Sequence, residues 1–443
     1  MPETPPSLRQ AIRLPHATAM VIGTIIGASI FVQPSEVTTR VPSVAGVLAV
    51  WAVAGGITLI GALITAELAS TFARTGGVYV YLTEAFGPWL GFLWGWAMFW
   101  SMHSGIIAAI AVVFARYAGF FVPLGPAGTR AVAVGVILLL SLINYLGVRQ
   151  GSRLQTWITA GKLLAVLLIV GLGVLLGGRV PEHFVGAAAA RTIGPGDFLG
   201  GLVAGLFAFG GWHMVTYTAD ETVDPKRTIP RALAIGTLAV TAVYLLMNAV
   251  YLYVLPLDQV ASSTRVAADF ADRLLGSGGG GAISAIVMFS TFGGLAGIIL
   301  AGPRVYLAMA RDGLLFRWAG KIHPVHQTPH RAILLQAIWA SVLVATGTFR
   351  TLFTLVVYTE WIFFGLMAVG LFRLRKRRDL SREYSVGGYP VLPALFALVA
   401  FAVVANQIYA DPASTLKGLG LVLLGLPFYF FVARHDLSRK AAP

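Results

Sequence analysis

The sequence predicts an all-α membrane protein with about twelve transmembrane helices, arranged as two inverted groups of five helices and a final pair. Three observations support this prediction. The chain is 57% hydrophobic and 11% charged, whereas soluble domains carry about 25% charged residues. Apolar stretches long enough to cross a bilayer recur along the chain, and two of them are interrupted by small residues at matched places. We therefore expect a single membrane domain covering residues 1–443.

Each predicted span is an apolar stretch of roughly 20 residues, the length that a helix needs to cross a hydrocarbon core about 30 Å thick. The connections are short, and those near 179–196, 256–281 and 373–389 are compatible with loops or small re-entrant helices. The predicted spans lie near residues 15–38, 46–72, 88–115, 129–147, 153–177, 196–218, 229–255, 282–305, 331–348, 351–372, 390–410 and 415–433.

The formal net charge of +14 raises the question of nucleic-acid binding, but the positions of the basic residues favour membrane topology. Numbering the spans from a cytoplasmic N-terminus places most Lys and Arg in cytoplasmic loops, including the run RLRKRR at Arg373 to Arg378. We expect no nucleic-acid partner, membrane lipids as surroundings and both termini in the cytoplasm. Since the N-terminal residues lack a cleavage signal, the first span is expected to remain an uncleaved helix.

The chain has no cysteine, which excludes disulfides, thiol catalysis and cysteine metal sites. The sequence also has no metal-ligand cluster and no nucleophile, histidine and aspartate at catalytic spacing. The glycine run at 276–281 lacks the Lys-Ser/Thr of a phosphate-binding loop and is interpreted as a hinge before the eighth span. We therefore predict no enzyme activity, no metal and no cofactor.

Two predicted spans contain small residues in the middle. The first contains GTIIGASIF, and the sixth contains LFAFGGWH around Gly210 and Gly211. Such residues also form close-packing surfaces in continuous helices, and Gly23 and Gly27 are four apart. The matched positions, five spans apart, favour helix breaks instead. Since five is odd, the second group crosses the membrane in the opposite sense, which is an inverted repeat.

The predicted repeat divides the chain into three parts. Residues 15–177 form the first group of five, residues 196–375 form the second, and residues 390–435 form two accessory helices. Paired interruptions in corresponding segments indicate a transport site at the interface of the two repeats.

A broken helix leaves backbone N–H and C=O groups that need partners at membrane depth, so the break is expected to line a ligand site. The N-terminus of the second half of the first span, at Ala28 and Ser29, suits a carboxylate. Carbonyl groups that end the first half-helices suit an ammonium. A site with both ends fits a zwitterionic α-amino acid. The predicted carbonyl acceptors of this site are those of Ile25, Ile26, Phe207, Ala208 and Phe209.

Five stretches, in order, resemble motifs of the amino acid-polyamine-organocation superfamily and of its L-type amino acid transporter branch. They are GTIIGASIF, AELASTFARTGGVYVYLTEAFG at 66–87, GLFAFGGWH, ADETVDPKRTIPRAL and FGGLAGIILAGPRVYLAMARDG at 292–313. The resemblance covers nearly the whole chain. It implies a LeuT-like fold with discontinuous helices 1 and 6, alternating access, and exchange or uptake of amino acids.

The resemblance also implies roles for particular residues. The backbone of Ile25, Gly27, Ala28 and Ser29 would hold the amino acid, Phe207 would be an aromatic gate and Gly210 would lie in the second break. The other pocket positions that it implies are Phe292, Leu295 and Ala296. Ser29 replaces the usual glycine, and His213 and Ala296 stand where the mammalian branch often has asparagine, which leaves the substrate range open.

Animal members of this branch join a heavy chain through a disulfide. With no cysteine, this chain is expected to lack such a partner and to resemble the free-standing bacterial members, in a bacterial inner (plasma) membrane. A homo-oligomer remains an open alternative.

Lys162 is an ionisable residue about nine residues, or roughly 13 Å, inside the fifth span. An ionisable group at this depth costs at least about 2.5 kcal/mol and indicates a function. Its position resembles that of a family lysine beside the first half of span one, where sodium-coupled relatives of the fold bind a cation. We hypothesise that its ammonium replaces sodium. The alternative is an amine that reaches the interface along the helix.

Three further ionisable residues are candidates for gating or coupling. Glu67, near the inner end of span two, is either part of an inner gate or a partly hydrated helix-end carboxylate. Glu360 is a proton-sensitive group, a contact to the substrate side chain or a hydrogen-bonded structural carboxylate. His213, just past the second break, either responds to pH near its usual pKa of about 6.5 or is structural.

The function predicted from these observations is sodium-independent transport of neutral L-amino acids, working as an exchanger. The matched pocket residues are mostly apolar and include no acidic group, which disfavours cationic substrates. The alternatives are a proton-coupled amino acid symporter and, in a different class, a non-transporting amino acid sensor on the same fold. The sequence does not decide which amino acids are preferred.

Overall fold

The computed structural model of the chain describes residues 7–27, 29–177, 193–263, 265–276, 279–347 and 349–431, with the backbone alone for 349–357. In these ranges the regular structure is helical, apart from one isolated β-bridge between Ile12 and Thr222. The predicted all-α class agrees with this architecture.

Two interruptions divide segments that would otherwise be single helices, one after Ile25 and one after Ala208. The second is followed by a 3-10 helix, Trp212–Glu221. The α-helices are α1 (Leu14–Ile25), α2 (Ser29–Arg40), α3 (Val44–Thr71), α4 (Val78–Phe86), α5 (Pro88–Ala118), α6 (Pro126–Leu146), α7 (Val148–Leu176), α8 (Pro195–Ala208), α9 (Pro225–Val254), α10 (Leu257–Ser262), α11 (Val266–Leu275), α12 (Gly279–Arg311), α13 (His330–Thr346), α14 (Phe349–Arg375), α15 (Val391–Ala410) and α16 (Pro412–Phe431).

Within the described ranges, nine helical segments are long and apolar enough to cross a membrane. They are α3, α5, α6, α7, Pro195–Glu221, α9, α12, α15 and α16. The pair α1 and α2 makes a tenth, bent by 47° at the break. Of the remaining long helices, α13 is a shorter apolar helix of 17 residues and α14 has 27 residues. The count of about twelve spans stays a prediction.

The predicted spans coincide with helices and differ from them by a few residues at most ends. The second, predicted at 46–72, is Val44–Thr71. The eighth, predicted at 282–305, extends over Gly279–Arg311, because the helix continues beyond the apolar stretch. The connection at 256–281 contains the short helices α10 and α11, and α4 was not expected because its nine residues are too few for a span.

Two long helices hold the breaks in place. α9 packs along α3 and α1, and α12 packs against α5, α7 and α1. Glycines on α12 allow this close approach. A methyl group on Gly293 would lie 2.2 Å from Ile158 Cγ2 of α7, and one on Gly297 would lie 2.8 Å from Thr24 Cγ2 of α1. Small residues therefore bring α12 against both helices at the level of the first break.

The end of the bundle where α1 begins is held by a buried ion pair and by backbone hydrogen bonds. Arg304 of α12 makes two hydrogen bonds of 2.7 and 2.8 Å to Glu221, and both side chains are fully buried. The backbone amides of Ala11 and Ile12 donate to the carbonyl oxygen of Glu221 at 2.9 Å. These contacts tie the N-terminal segment, the 3-10 helix and α12 together.

Candidate functional site: a cavity between two helix breaks

The two interruptions contact each other in the centre of the molecule. Gly211 follows α8 with φ 98°, a left-handed conformation that favours glycine. A methyl group there would lie 3.1 Å from the carbonyl oxygen of Thr24, in the last turn of α1. The Thr24 hydroxyl lies 3.1 Å from the Gly211 carbonyl oxygen. The breaks therefore form one joint structure. Ala28, a predicted binding residue, lies outside the described residues.

A cavity of about 270 Å³ lies beside this joint. Its first wall is the backbone of the two breaks, its second is the apolar face of α5, and its third is α14. Its lining residues are Thr24, Ile25, Gly27, Ser29, Val32, Gln33, Ile106, Ala109, Ile110, Val113, Leu206, Phe207, Ala208, Gly210, Gly211, Trp212, Met214, Ile298, Glu360, Trp361 and Phe364. This volume is slightly below the range of about 300–1,000 Å³ that is usual for small-molecule sites.

The structure brings part of the predicted binding set together on this cavity. The predicted residues that line it are Ile25, Gly27, Ser29, Phe207, Ala208, Gly210 and Glu360.

Four predicted binding residues lie away from the cavity. The side chain of Phe209 packs against Trp51 and Tyr244 instead, at ring distances of 6.4 and 5.0 Å. Ile26 is buried in the core. Phe292 packs against Phe114 of α5 at a ring distance of 6.0 Å, and Ala296 is buried. Among the described residues of α12, Ile298 lines the cavity. The assignments of Phe292 and Ala296 depended on which face of a helix meets the cavity, which sequence position alone does not specify. Ile26 and Phe209 were predicted to act through their backbone carbonyls, and that role stays a prediction.

Lys162 lies behind the first break and is 2% exposed. Its ammonium donates hydrogen bonds to the carbonyl oxygens of Gly23, at 3.0 Å, and Ile26, at 2.6 Å. These are carbonyls at the C-terminal end of α1, where the helix dipole places partial negative charge. A methyl group on Gly293 would lie 2.8 Å from Lys162 Cε, so a glycine makes room for the side chain. The amine is satisfied inside the bundle, and the alternative of an amine reaching the interface is wrong.

Tyr244 of α9 is a residue of the site that sequence reasoning missed. Its hydroxyl oxygen lies 3.0 Å from the carbonyl oxygen of Ile25 and 3.0 Å from that of Ala208. One hydroxyl therefore joins the C-terminal ends of both half-helices, donating its single proton to either carbonyl. No local pattern marks this tyrosine among the 14 in the chain.

These contacts bear on the predicted ammonium site. The carbonyls of Ile25 and Ile26 already accept hydrogen bonds from Tyr244 and Lys162. A carbonyl oxygen has two lone pairs, so each retains capacity for one more donor. In contrast, the first turn of α2 contains no acidic residue and its first residue, Ser29, lines the cavity. Positive partial charge therefore faces the cavity at this helix end.

Glu360 and His213 form a pair on the opposite side of the cavity. Glu360 is 14% exposed and lines the cavity, and its Oε1 lies 3.5 Å from Nε2 of His213, which is 1% exposed. The His213 ring makes edge contacts with Trp94, Trp212 and Phe364. The histidine is therefore a buried neighbour of a cavity carboxylate, and not itself part of the cavity wall.

Glu67 lies near the C-terminal end of α3 and does not line the cavity. Its side chain is fully buried and accepts two hydrogen bonds from Arg375, at 2.8 and 2.6 Å, and one from the backbone N–H of Val386. The alternative of a partly hydrated helix-end carboxylate is therefore wrong. The pair joins α3 to the end of α14.

A second cavity, of about 470 Å³, lies next to the first, toward the end of α2. Gln33, Phe207 and Trp361 line both cavities, so these side chains separate them. Farther out its wall carries Glu36 and Arg40, which form an exposed ion pair of 2.8 Å. Among the described side chains, no group of His, Asp and Glu is arranged to hold a metal ion.

Comparison with known proteins shows which family this chain resembles. A family model described as amino acid permease matches residues 12–426. The serine/threonine exchanger SteT of Bacillus subtilis is 31% identical over 435 residues, which cover 97% of this chain and 98% of that protein. The human large neutral amino acids transporter small subunit 2 is 34% identical, covering 96% of this chain and 80% of that protein. The human b(0,+)-type amino acid transporter 1 is 32% identical, over 98% of this chain and 90% of that protein.

Proposed function

The chain belongs to the amino acid permease family, and we propose that it is a sodium-independent secondary transporter that exchanges neutral L-amino acids by alternating access. The observation that carries this proposal is the cavity between the two helix breaks, where the start of one helix and the ends of two others meet a common space. The names of its relatives, an exchanger and transporters of amino acids, support the same function.

The substrate in this proposal is a zwitterion held by backbone. Its carboxylate lies at the N-terminal end of α2, by Ser29, where the helix dipole and unpaired N–H groups attract an anion. Its ammonium donates to the carbonyl oxygens around Phe207 and Ala208 and to the remaining lone pair of Ile25. Recognition by backbone alone would accept any α-amino acid, so the side chain is selected by the opposite walls, α5 and α14.

The proposed fold is a LeuT-like bundle of about twelve spans, with residues 15–177 and 196–375 as inverted repeats and residues 390–435 as two accessory helices. Its support is the correspondence between the interruption after Ile25 and the one after Ala208. Positive-inside counting places both termini in the cytoplasm. The proposed location is a bacterial inner membrane, without a disulfide-linked heavy chain, because the sequence contains no cysteine.

Sodium independence rests on Lys162 in this proposal. Its ammonium already neutralises the carbonyl end of α1, since it contacts Gly23 and Ile26, and a buried sodium ion would need the same oxygens. The lysine also joins α7 to α1, so it couples the position of the first break to the position of α7. We assign Lys162 this coupling role in the transport cycle.

Gating is assigned to side chains at the edges of the cavity. Phe207 and Trp361 separate the central cavity from the one toward the end of α2, and movement of these rings would connect the two. At the other end, the Arg304–Glu221 and Arg375–Glu67 pairs would have to separate for substrate to leave. In this conformation the proposed inner path is closed.

Proton-coupled symport is a second candidate, which one observation favours. Glu360 is a carboxylate on the cavity wall beside His213, so substrate and proton would share one space. In that case uptake into empty vesicles would respond to a proton gradient, and Glu360→Gln would remove the response. An unchanged pH profile of uptake in Glu360→Gln would end this candidate.

The deciding experiment uses purified protein in liposomes. Uptake of a labelled mixture of neutral amino acids is measured with and without unlabelled amino acids inside, with sodium or choline outside, and with or without a proton gradient. Exchange predicts uptake only into loaded vesicles, independent of both gradients. A sensor predicts binding of the label without uptake in any condition. Protein-free vesicles loaded in the same way provide the control.

A further inference from the structure

A single carboxylate interrupts the apolar side of the central cavity. Within the described residues, Glu360 is the acidic residue among those that line the cavity, and it lies on α14, across from the two breaks. Around it the walls of α5 and α14 are built from Ile106, Ile110 and Phe364. A substrate whose amino and carboxyl groups occupied the breaks would direct its side chain toward this wall.

We propose that the Glu360 carboxylate selects neutral amino acids whose side chain donates a hydrogen bond, that is hydroxyl amino acids of serine and threonine size, over apolar amino acids of the same shape. This inference rests on the proposed function and specifies the substrate class of the same site. The pocket positions expected from the sequence are apolar and include no acidic group, so this inference does not follow from them.

The hydrogen-bonding state of Glu360 supports this choice. Among the described residues no hydrogen bond to its carboxylate is found, and its ion-pair contact is with His213, at 3.5 Å. That separation is longer than the 2.7–2.9 Å typical of a charge-assisted hydrogen bond. A carboxylate that is mostly buried and faces an apolar space gains more from a new donor than one that is already satisfied. The incoming side chain is the group that would supply such a donor.

His213 acts here as a positioning residue. Its ring is enclosed by Trp94, Trp212 and Phe364, which fixes the direction of Nε2 toward Glu360. A ring that cannot turn away keeps Nε2 at 3.5 Å from Oε1, which restricts where the carboxylate lies on the wall of α14. His213→Gln keeps a donor at a similar place and is expected to preserve the preference, whereas His213→Leu is expected to weaken it.

Threonine and valine provide the sharpest comparison, because they have the same shape and differ by one hydroxyl group. A hydrogen bond to a buried acceptor that otherwise lacks a donor is worth enough to separate such a pair by about tenfold in affinity. A site that selects by side-chain volume alone would not distinguish threonine from valine. We therefore expect threonine to compete for exchange at concentrations about tenfold lower than valine.

The experiment measures competition by threonine and valine against uptake of a labelled amino acid into loaded liposomes. The variants are Glu360→Gln, which keeps an acceptor oxygen without charge, and Glu360→Leu, which removes it. The threonine preference is expected to fall to about fivefold in the first and to about one in the second. Glu383→Gln is the matched control, because Glu383 is an exposed carboxylate paired with Lys226 and Arg227.

The outcomes separate this inference from the function on which it rests. Equal competition by threonine and valine in the native protein, with normal exchange, overturns the inference and leaves the proposed function standing. The same holds if both Glu360 variants exchange amino acids with an unchanged preference. Absence of any amino acid exchange or binding by the native protein overturns both. Size-exclusion profiles and melting temperatures of the variants verify that each one is folded.

Discussion

Gly211 is the residue whose backbone most directly determines the joint between the two breaks. In Gly211→Ala the residue must hold φ near 98°, which costs an L-residue about 1–2 kcal/mol. Its methyl group would lie 3.1 Å from the Thr24 carbonyl oxygen. This contact forces the two interrupted segments apart by a few tenths of an ångström. Alanine restricts the unfolded chain and recovers about 0.4–1 kcal/mol, so the net destabilisation is about 1 kcal/mol.

This strain is expected to appear in both stability and binding. If the binding-competent arrangement of the breaks carries the full 1 kcal/mol or so, substrate affinity falls about fivefold. The assays are the melting temperature of the purified protein and the concentration dependence of exchange in liposomes. In Gly211→Ala the melting temperature should fall and the substrate concentration needed for half-maximal exchange should rise, while the protein stays monodisperse.

Gly56→Ala is the matched control for this substitution. Gly56 lies inside α3, and a methyl group there would meet no atom within 4 Å. Because alanine is favoured over glycine in a helix by about 1 kcal/mol, this variant should be at least as stable as the native protein and should transport normally. A Gly211→Ala protein that melts and binds like the Gly56→Ala protein would refute the account of the joint.

Three further substitutions test separate contacts. Lys162→Ala leaves two buried carbonyls without their donor, and exchange should fall at least about tenfold at equal protein content; a native rate would end the coupling role. Tyr244→Phe removes one hydroxyl from between the two half-helices, and weaker substrate affinity and a lower melting temperature should report a loss of about 1–3 kcal/mol. Glu67→Gln breaks the buried pair with Arg375, so thermal stability should fall while the relative affinities for different amino acids stay as they are; a changed preference would contradict its distance from the cavity.

Much of the architecture could be predicted because it is local. A helix in a membrane satisfies its own backbone groups, so a long apolar stretch specifies a helix without reference to its neighbours. This is why the stretch predicted at 46–72 and the helix Val44–Thr71 nearly coincide. The breaks were also predictable, because glycine and other small residues at matched places tolerate interruption where bulkier residues do not. The position of Lys162 beside the first break followed from its depth and from the family resemblance.

The orientation of side chains was harder to predict, because several spans are apolar on all sides and give no signal for the face that meets the cavity. Phe292 and Ala296 were expected at the cavity, whereas Ile298 is the residue of α12 that lies there. Tyr244 was missed because a tyrosine inside a long uninterrupted helix has no local signature. The partner of Glu67, Arg375, is more than 300 positions away in the chain.

The sequence by itself determined that this chain forms a helical membrane protein, where its long helices lie to within a few residues at most ends, and which two of them are interrupted. These properties depend on the length and apolarity of each stretch, which bilayer thickness and backbone hydrogen bonding convert directly into structure. Tertiary structure alone decided which side chains meet at the breaks: the lysine and tyrosine that satisfy the half-helix ends, and the carboxylate that faces the cavity. Those contacts depend on how each helix is rotated against its neighbours, and that rotation is set by close packing between residues far apart in the chain.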